Sequence, residues 1–516
     1  MQAAEKLMRL AVQLVLLLCL TSLSPLLPTV TGTESPHHTL DITPASPTAV
    51  SANTSAAWSL LSSPSTFLPT ARYGHASIAL PSSILVTHGY QYDHTTATPL
   101  WLSDTYSFSL SWHQWRQVLP PCTERQVVGG VCPCARMGAV LVVAGERAYM
   151  YGGDDGGASR GASSYTYNLF GDLWSLPLAA LDADVADDAA PAVRWQLEET
   201  IVDSTALTAL GYASSTAETA VSVAHAQHAA YVRRLASGTS ELLVFGGMVP
   251  RAGDNHTSTD GTGDNFVKAT NTVWRLPLSP SPHRQWQLLS CSGSAPAARY
   301  GHSMAGVEQS GVGNAALSVL YVYGGFVRNQ PNFNDLHCLT LPHDQPTHCE
   351  WQQLTPGSVQ PTSRGYATML ASQRFLLLFG GSHCAPGCEC SHELWTFDTE
   401  RHEWSSPQLL SLEQPQGRYK HTAVGEWQAG RKAGLGGCMT MYVFGGESYK
   451  PQKYHSDVWR LRYSHMGGGH ACESVWEVVL GERTVWEVTA WSIVLLLAVI
   501  VILLLRRRVL RQIKTS

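Results

Sequence analysis

The chain has 516 residues, 44% of them hydrophobic, and a formal net charge of −5. That length permits several domains and the apolar share permits a large core. The slight acidity gives no electrostatic reason to expect a nucleic-acid partner.

In chain order, residues 1–32 place Lys6 and Arg9 before the apolar run Leu10–Leu20 and end on small residues near Gly32, the order of a secretory signal peptide. Residues 33–57 are rich in Ser, Thr and Pro and are expected as a disordered spacer. Asn53-Thr54-Ser55 and, further on, Asn255-His256-Thr257 are N-glycosylation sequons, making Asn53 and Asn255 the candidate acceptors.

From Trp58 a pattern repeats. Alternating apolar stretches stop on paired glycines at Gly152-Gly153, Gly246-Gly247, Gly324-Gly325, Gly380-Gly381 and Gly445-Gly446, with His88-Gly89 a degenerate sixth. An arginine signature precedes most of them: Arg72-Tyr73-Gly74-His75, Arg136-Met137-Gly138, Arg299-Tyr300-Gly301-His302, Arg364-Gly365-Tyr366 and Arg418-Tyr419-Lys420-His421. The third unit offers only His225 or His228. A second strand follows, as in Asp172-Leu173-Trp174 or Asp457-Val458-Trp459, and then a late tryptophan: Trp115, Trp195, Trp286, Trp351, Trp404 and Trp476.

Four short strands per unit cannot bury both faces of one sheet, whereas units stacked radially can. The tryptophans are expected as wedges between neighbouring sheets. The signature arginines and histidines are expected to hydrogen-bond between units. This order of Arg signature, Gly-Gly, acidic-hydrophobic-Trp strand and late Trp resembles the kelch-repeat family over residues 58–480. The resemblance implies an all-β propeller; the six Gly-Gly positions argue for a six-bladed ring, with a seven-bladed one, its seventh blade incomplete, as the alternative. The WD40 and Asp-box signatures of other propellers are missing from the sequence. Trp58 and Trp476 compete for the outermost strand of the last blade.

Antiparallel alternation puts the loops between second and third strands, and the crossovers between blades, on one face. The long loops 90–103, 154–171 and 248–271 all fall there, over blades 1 to 3, and long loops on a rigid scaffold carry recognition. Candidate binding residues are Tyr90, Tyr92 and Trp101; Asp154, Asp155, Tyr165, Tyr167 and Phe170; and Asp260, Asp264 and Phe266.

Beyond a juxtamembrane segment, 481–487, residues 488–505 carry no charge. As a helix they would extend roughly 27 Å, enough to cross a hydrocarbon core. The basic tail 506–516, with Arg506, Arg507 and Arg508, marks the cytoplasmic side. The expected topology is single-pass type I, with the propeller luminal or extracellular. In that compartment the cysteines should be bridged. Cys338 with Cys349, Cys122 with Cys132 or Cys134, and Cys438 with Cys472 are candidate pairs, and Cys384, Cys388 and Cys390 a local knot. The His383–His392 stretch also has zinc-like spacing, for which a disulfide knot is the preferred reading.

No phosphate-cradling loop, nucleophile elbow or complete zincin motif occurs, so neither a catalytic site nor a cofactor or metal is expected. The functional expectation is a membrane-anchored binding module for a protein or glycan. The alternatives are a secretory-pathway kelch-fold enzyme, a metal-dependent oxidase or glycan-processing enzyme, and a trafficking scaffold for other membrane proteins.

Overall fold

The stretches that end on Gly-Gly alternate buried side chains toward both faces, and each forms the second strand of a four-stranded antiparallel unit. The computed structural model describes residues 50–465, apart from short segments of which the longest are 157–167, 182–192, 203–222, 251–266 and 429–437. Unit 1 runs through Ala76–Ala79, Ser83–Asp93, Thr98–Ser109 and Trp115–Leu119. Unit 2 takes Val140–Ala144, Arg147–Tyr151, Leu173–Pro177 and Gln196–Glu198. Unit 3 takes Ala229–Arg234, Ser240–Phe245, Val273–Pro277 and Arg284–Leu289. Unit 4 takes Ser303–Ser310, Ala316–Tyr323, Leu336–Pro342 and Glu350–Leu354. Unit 5 takes Thr368–Ala371, Phe375–Phe379, Leu394–Asp398 and Glu403–Leu409. Unit 6 takes Thr422–Gln428, Cys438–Phe444 and Val458–His465.

The fourth strand of unit 6 comes from the other end of the chain. Val50–Leu60 pairs antiparallel with Val458–His465, Trp58 opposite Leu461. It starts inside the segment expected as a spacer, and it also runs parallel to the outer strand of unit 5, joining units 5 and 6 into one eight-stranded sheet. Trp476 lies outside the described residues.

The core lies between neighbouring units. Except for Trp195, which meets His88 of unit 1, each late tryptophan rests on the aromatic residue that precedes the glycine pair of the unit before it. Ring centroids are 4.9 Å apart for Trp115–Phe444, 4.7 Å for Trp286–Tyr151, 4.9 Å for Trp351–Phe245 and 5.3 Å for Trp404–Tyr323. Trp58 follows the same rule against Phe379 at 4.9 Å, so it is the late tryptophan of unit 6. The wedge expectation describes these side chains correctly.

The first glycine of each pair makes room for the next unit's signature backbone, and at Gly152, Gly246, Gly380 and Gly445 for a histidine laid between units as well, whereas Gly324 faces only the carbonyls of Arg364 and Phe333. Gly246 has φ +64°, and a Cβ there would sit 2.8 Å from Cε1 of His302 and 2.9 Å from the Arg299 carbonyl oxygen, both of the next unit. His88 departs from this rule for a reason. It occupies the first-glycine place of unit 1 with φ 61°, but unit 2 carries Ala139 where four other units carry the intervening histidine. With that imidazole gone, a side chain fits, and His88 lies edge-on to Trp195.

The signature arginines correct the expectation of inter-unit bonding, because their side chains bond within their own unit. Arg299 donates to the Gly324 carbonyl oxygen at 2.9 Å and to both oxygens of Asp335 at 2.7 and 2.8 Å. Arg418 repeats this with Gly445 and Asp457. The long arginine reaches across its own sheet from first to third strand, tying strand ends whose carbonyls would otherwise be buried unpaired. Unit 3 loses both charges together, with His225 in the arginine place and Thr272 in the acid place. Among the described residues no helix is long and apolar enough to cross a membrane; residues 488–505 lie outside them.

Candidate functional site

What the arginine side chains do not do, the signature backbone does. The N–H of the second glycine of each unit donates to the carbonyl of the next unit's arginine or its substitute, as from Gly446 to Arg72 at 2.9 Å and from Gly153 to His225 at 2.8 Å. Two residues further on, the chain reaches the axis and closes a ring. Gly74 N–H donates to Lys420, Lys420 to Tyr366, Tyr366 to Gly301, Gly301 to Gln227, Gln227 to Gly138 and Gly138 to Gly74, over 2.6–3.2 Å. All six residues have φ between 50° and 66°. Three of them are not glycine, and a positive φ costs such residues conformational energy.

Those three side chains, Gln227, Tyr366 and Lys420, set the chemistry of the axis. Tyr366 Oη donates to Gln227 Oε1. Lys420 Nζ lies 5.0 Å from the Tyr73 ring centroid and 4.7 Å from that of Tyr366. Around them the residue after each glycine pair forms a bridge to the second signature residue: Tyr90 to Tyr73, Asp154 to Met137, Met248 to Ala226, Phe326 to Tyr300, Ser382 to Gly365 and Glu447 to Tyr419. Aromatic rings run continuously along this shelf. Trp101 and Tyr90 are 4.7 Å apart, Tyr90 and Tyr73 5.4 Å, Tyr73 and Tyr454 5.6 Å. From Tyr419, Tyr366 is at 6.0 Å; Phe326 follows at 5.1 Å and Tyr300 at 4.4 Å. The result is an aromatic cup with one ammonium at its centre.

Two carboxylates face that ammonium. Glu447 accepts from Tyr419 Oη and from Gln452 Nε2. Asp154 is wholly buried; its Oδ1 accepts from Gly156 N–H at 3.2 Å, while Oδ2 has no donor in hydrogen-bonding position. Burial pushes the Asp154 carboxyl up to about 6, against the opposing pull of Lys420. Burial lowers Lys420 from its ordinary value, opposed by Asp154 and Glu447. The burial of Tyr419 beside Glu447 holds its phenol far above the usual range.

Of the residues singled out from sequence, Tyr90 and Trp101 are in the cup and half-buried. Tyr92 lies further along the same hairpin, opposite Pro99. Asp154 and Asp155 are buried beneath the cup, and Trp101 covers Gly156 beside them. Phe170 is turned inward, 4.0 Å under the guanidinium of Arg136. Tyr165, Tyr167, Asp260, Asp264, Phe266 and Asn255 lie outside the described residues, and Asn53 is in the closing strand. Sequence reasoning missed Tyr73, Tyr366, Tyr419, Lys420 and Glu447. Their signal was positional: they are the residues that vary inside an otherwise regular signature.

The cysteine pairing needs correction. Cys122 bridges Cys132, but Cys349 bridges Cys291, with Cα atoms 4.6 Å apart. The cause is topological: Ser292-Gly293 runs parallel to Glu350-Trp351 and brings Cys291 alongside Cys349. Cys338 faces Gln352 instead and is a buried free thiol. Cys134 and Cys390 are free as well, which removes Cys390 from the expected knot. Cys388 and Cys438 are disulfide-bonded, and Cys384 and Cys472 lie outside the described residues.

One cluster looks catalytic by residue type. Ser318 Oγ and Glu308 Oε2 lie 3.0 and 2.9 Å from His343 Nε2, but both converge on the same ring nitrogen and Ser318 is fully buried. A relay needs the acid on the opposite nitrogen and an accessible hydroxyl. Among the described residues no group of three or more His, Cys, Asp and Glu is arranged to hold a metal ion.

Residues 234–467 match the KLHDC2/KLHL20/DRC7 Kelch-repeats domain family. Host cell factor 1 of Rattus norvegicus is 28% identical over 224 residues, 40% of this chain and 9% of that protein. Rab9 effector protein with kelch motifs of Mus musculus is 29% identical over 163 residues, 31% of this chain and 37% of that protein. Rho GTPase-activating protein gacHH of Dictyostelium discoideum is 25% identical over 173 residues, 33% and 9% of the two. The chain therefore spans only a minor part of the length of these relatives. The solved structure of YjhT aligns over 77% of this chain and 95% of its own, at 14% identity and a TM-score of 0.46.

Proposed function

This chain belongs to the kelch-repeat β-propeller family, and from that premise we propose that it is a six-bladed protein-binding module whose contact face is the aromatic cup. Six blades are supported by the cyclic succession of axial hydrogen bonds, which visits each unit once and returns to Gly74. One observation carries the binding face. Lys420, half-buried at the centre of the cup, is held by two tyrosine rings and forms no ion pair among the described residues. A partly desolvated cation with no carboxylate in direct contact is a hot-spot anchor for a partner, and the rings around it supply rigid apolar area.

The test is proximity labelling in cells with the full chain, comparing wild type with Lys420→Met and Tyr73→Ala. Partners enriched by wild type should fall at least about tenfold with either variant, the scale of a lost hot spot. An unchanged partner set, with folding intact, removes the cup as the contact face. Shortening 157–167 in parallel separates a partner held by the loops from one held by the axis. Loss of labelling only under glycosidase treatment of the cells would assign the contact to a glycan.

The same proposal places the propeller outside the cytoplasm, anchored by residues 488–505. The uncharged run followed by Arg506-Arg507-Arg508 supports it, and so do the Cys122–Cys132 and Cys291–Cys349 bridges, which suit an oxidising compartment. Protection of an epitope inserted between Ser310 and Ala316 from protease in sealed microsomes checks it; cleavage from the cytosolic side rejects it.

A further inference from the structure

The turn that joins the third and fourth strands of unit 1 lies away from the cup and carries an indole into solvent. Trp112 is 71% exposed there. Its N–H donates to Ser109 Oγ at 3.1 Å, and the N–H of His113 donates to the Ser109 carbonyl oxygen at 3.0 Å. His113 has φ 53° and lays its ring parallel to that of Phe108. The chain then turns inward at Trp115, whose buried ring lies 4.9 Å from that of Phe444.

Unit 5 builds the same turn without the first tryptophan. Arg401 N–H donates to Asp398 Oδ1 at 3.1 Å, and His402 N–H donates to the Asp398 carbonyl oxygen at 2.8 Å. His402, at φ 57°, stacks on Phe397. Arg401 holds the place of Trp112 and its side chain is 70% exposed, so the turn itself needs no indole at this position. A single exposed apolar side chain calls for no explanation on its own, but the spacing here does. Of the 16 tryptophans in the chain, Trp112 alone has another tryptophan three residues on, in Trp112-His113-Gln114-Trp115. Trp-x-x-Trp is the acceptor pattern for C-mannosylation, in which the first ring takes the sugar.

We propose that Trp112 is a C-mannosylation site, with one mannose joined through its anomeric carbon to indole Cδ1. The proposal rests on the placement of the propeller outside the cytoplasm, because the donor, a polyprenyl phosphomannose, is presented on the luminal side of the membrane. Indole Cδ1 attacks the anomeric carbon and a C–C bond forms. The C–O bond to phosphate breaks, its electron pair leaving on the polyprenyl phosphate, and the Cδ1 proton is lost to restore the aromatic ring. No oxidant or reductant enters. On Trp112 the sugar projects into solvent and covers an apolar ring with hydroxyls, leaving the strands and wedges as they are. On Trp115 it would have to share the closed space between units 1 and 6 with Phe444, so the fold admits it on the first ring only.

Mass spectrometry of peptides from the full chain tests this. The chain is expressed in animal cells that C-mannosylate a control protein, with an Asn-Gly-Thr sequon inserted between Ser310 and Ala316 to report the compartment. The peptide holding both tryptophans should carry the mass of one hexosyl group on Trp112 and none on Trp115, and should keep it after peptide N-glycosidase treatment. In cells unable to make polyprenyl phosphomannose that mass should fall to background. An unmodified Trp112 beside a glycosylated reporter overturns the proposal and leaves the location standing; an unmodified Trp112 beside an unglycosylated reporter overturns both. A hexosyl group found on Trp115 instead, or one that persists without the donor, overturns it as well.

Discussion

At the scale of single residues, Asp154 is retained at a cost. Its folded-state value of about 6 lies above the ordinary carboxylate value, so the native state binds a proton more tightly than the unfolded chain. The stability this gives is fully present below about pH 4 and is lost as pH rises through about 6. Above pH 6 the fold carries a buried charge with one undonated oxygen. Asp154→Asn should therefore stabilise the protein at pH 7.5 by on the order of 1–3 kcal/mol and by almost nothing at pH 4. Chemical denaturation at the two pH values measures this; equal effects at both would mean that the charge is not the cause. If the same variant weakens partner capture, the carboxylate is there to hold Lys420 charged.

At the scale of elements, the histidine laid between units couples positions that are far apart in sequence. Gly246→Ala forces a side chain into both a positive φ and the His302 ring, and should cost about 3 kcal/mol or more. Ala139→His should destabilise the wild type because His88 already fills the first-glycine place of unit 1. His88→Gly should relieve that cost, giving a coupling of about 1–3 kcal/mol in a double-mutant cycle. Additive effects would show that the two side chains do not compete.

The strands, the glycine pairs and the tryptophan wedges were legible because each recurs at a fixed place in six units. The cup was not. Tyr73 and Lys420 fall inside the arginine signature and Glu447 directly after a glycine pair, where regularity reads as scaffold, whereas the long loops carry the pattern of a recognition surface. Cys291 escaped for a related reason. Its bridge to Cys349 depends on the parallel lie of Ser292-Gly293, a crossover segment with no strand pattern of its own.

At the scale of the whole molecule, the ring is held by a strand taken from its own beginning. Trp58→Ala removes the only late tryptophan of unit 6 among the described residues and should cost about 3–5 kcal/mol. Because the loss falls at the closure, the native sheet should become susceptible to protease across units 5 and 6 before units 2 to 4. Limited proteolysis with mass spectrometry checks this; simultaneous cleavage of all units would mean that closure contributes no local weakness.

Ser59 and Arg460 touch across a separation of 401 residues. A ribosome adding roughly 5–20 residues each second makes the first strand tens of seconds before its partner exists. Through that interval Val50–Leu60 is an edge with nothing to pair against, in a nascent chain whose other five units can already assemble. The last blade is therefore completed only when an early strand meets one made some 401 residues later, and a chaperone that shields unpaired strands would find its substrate here.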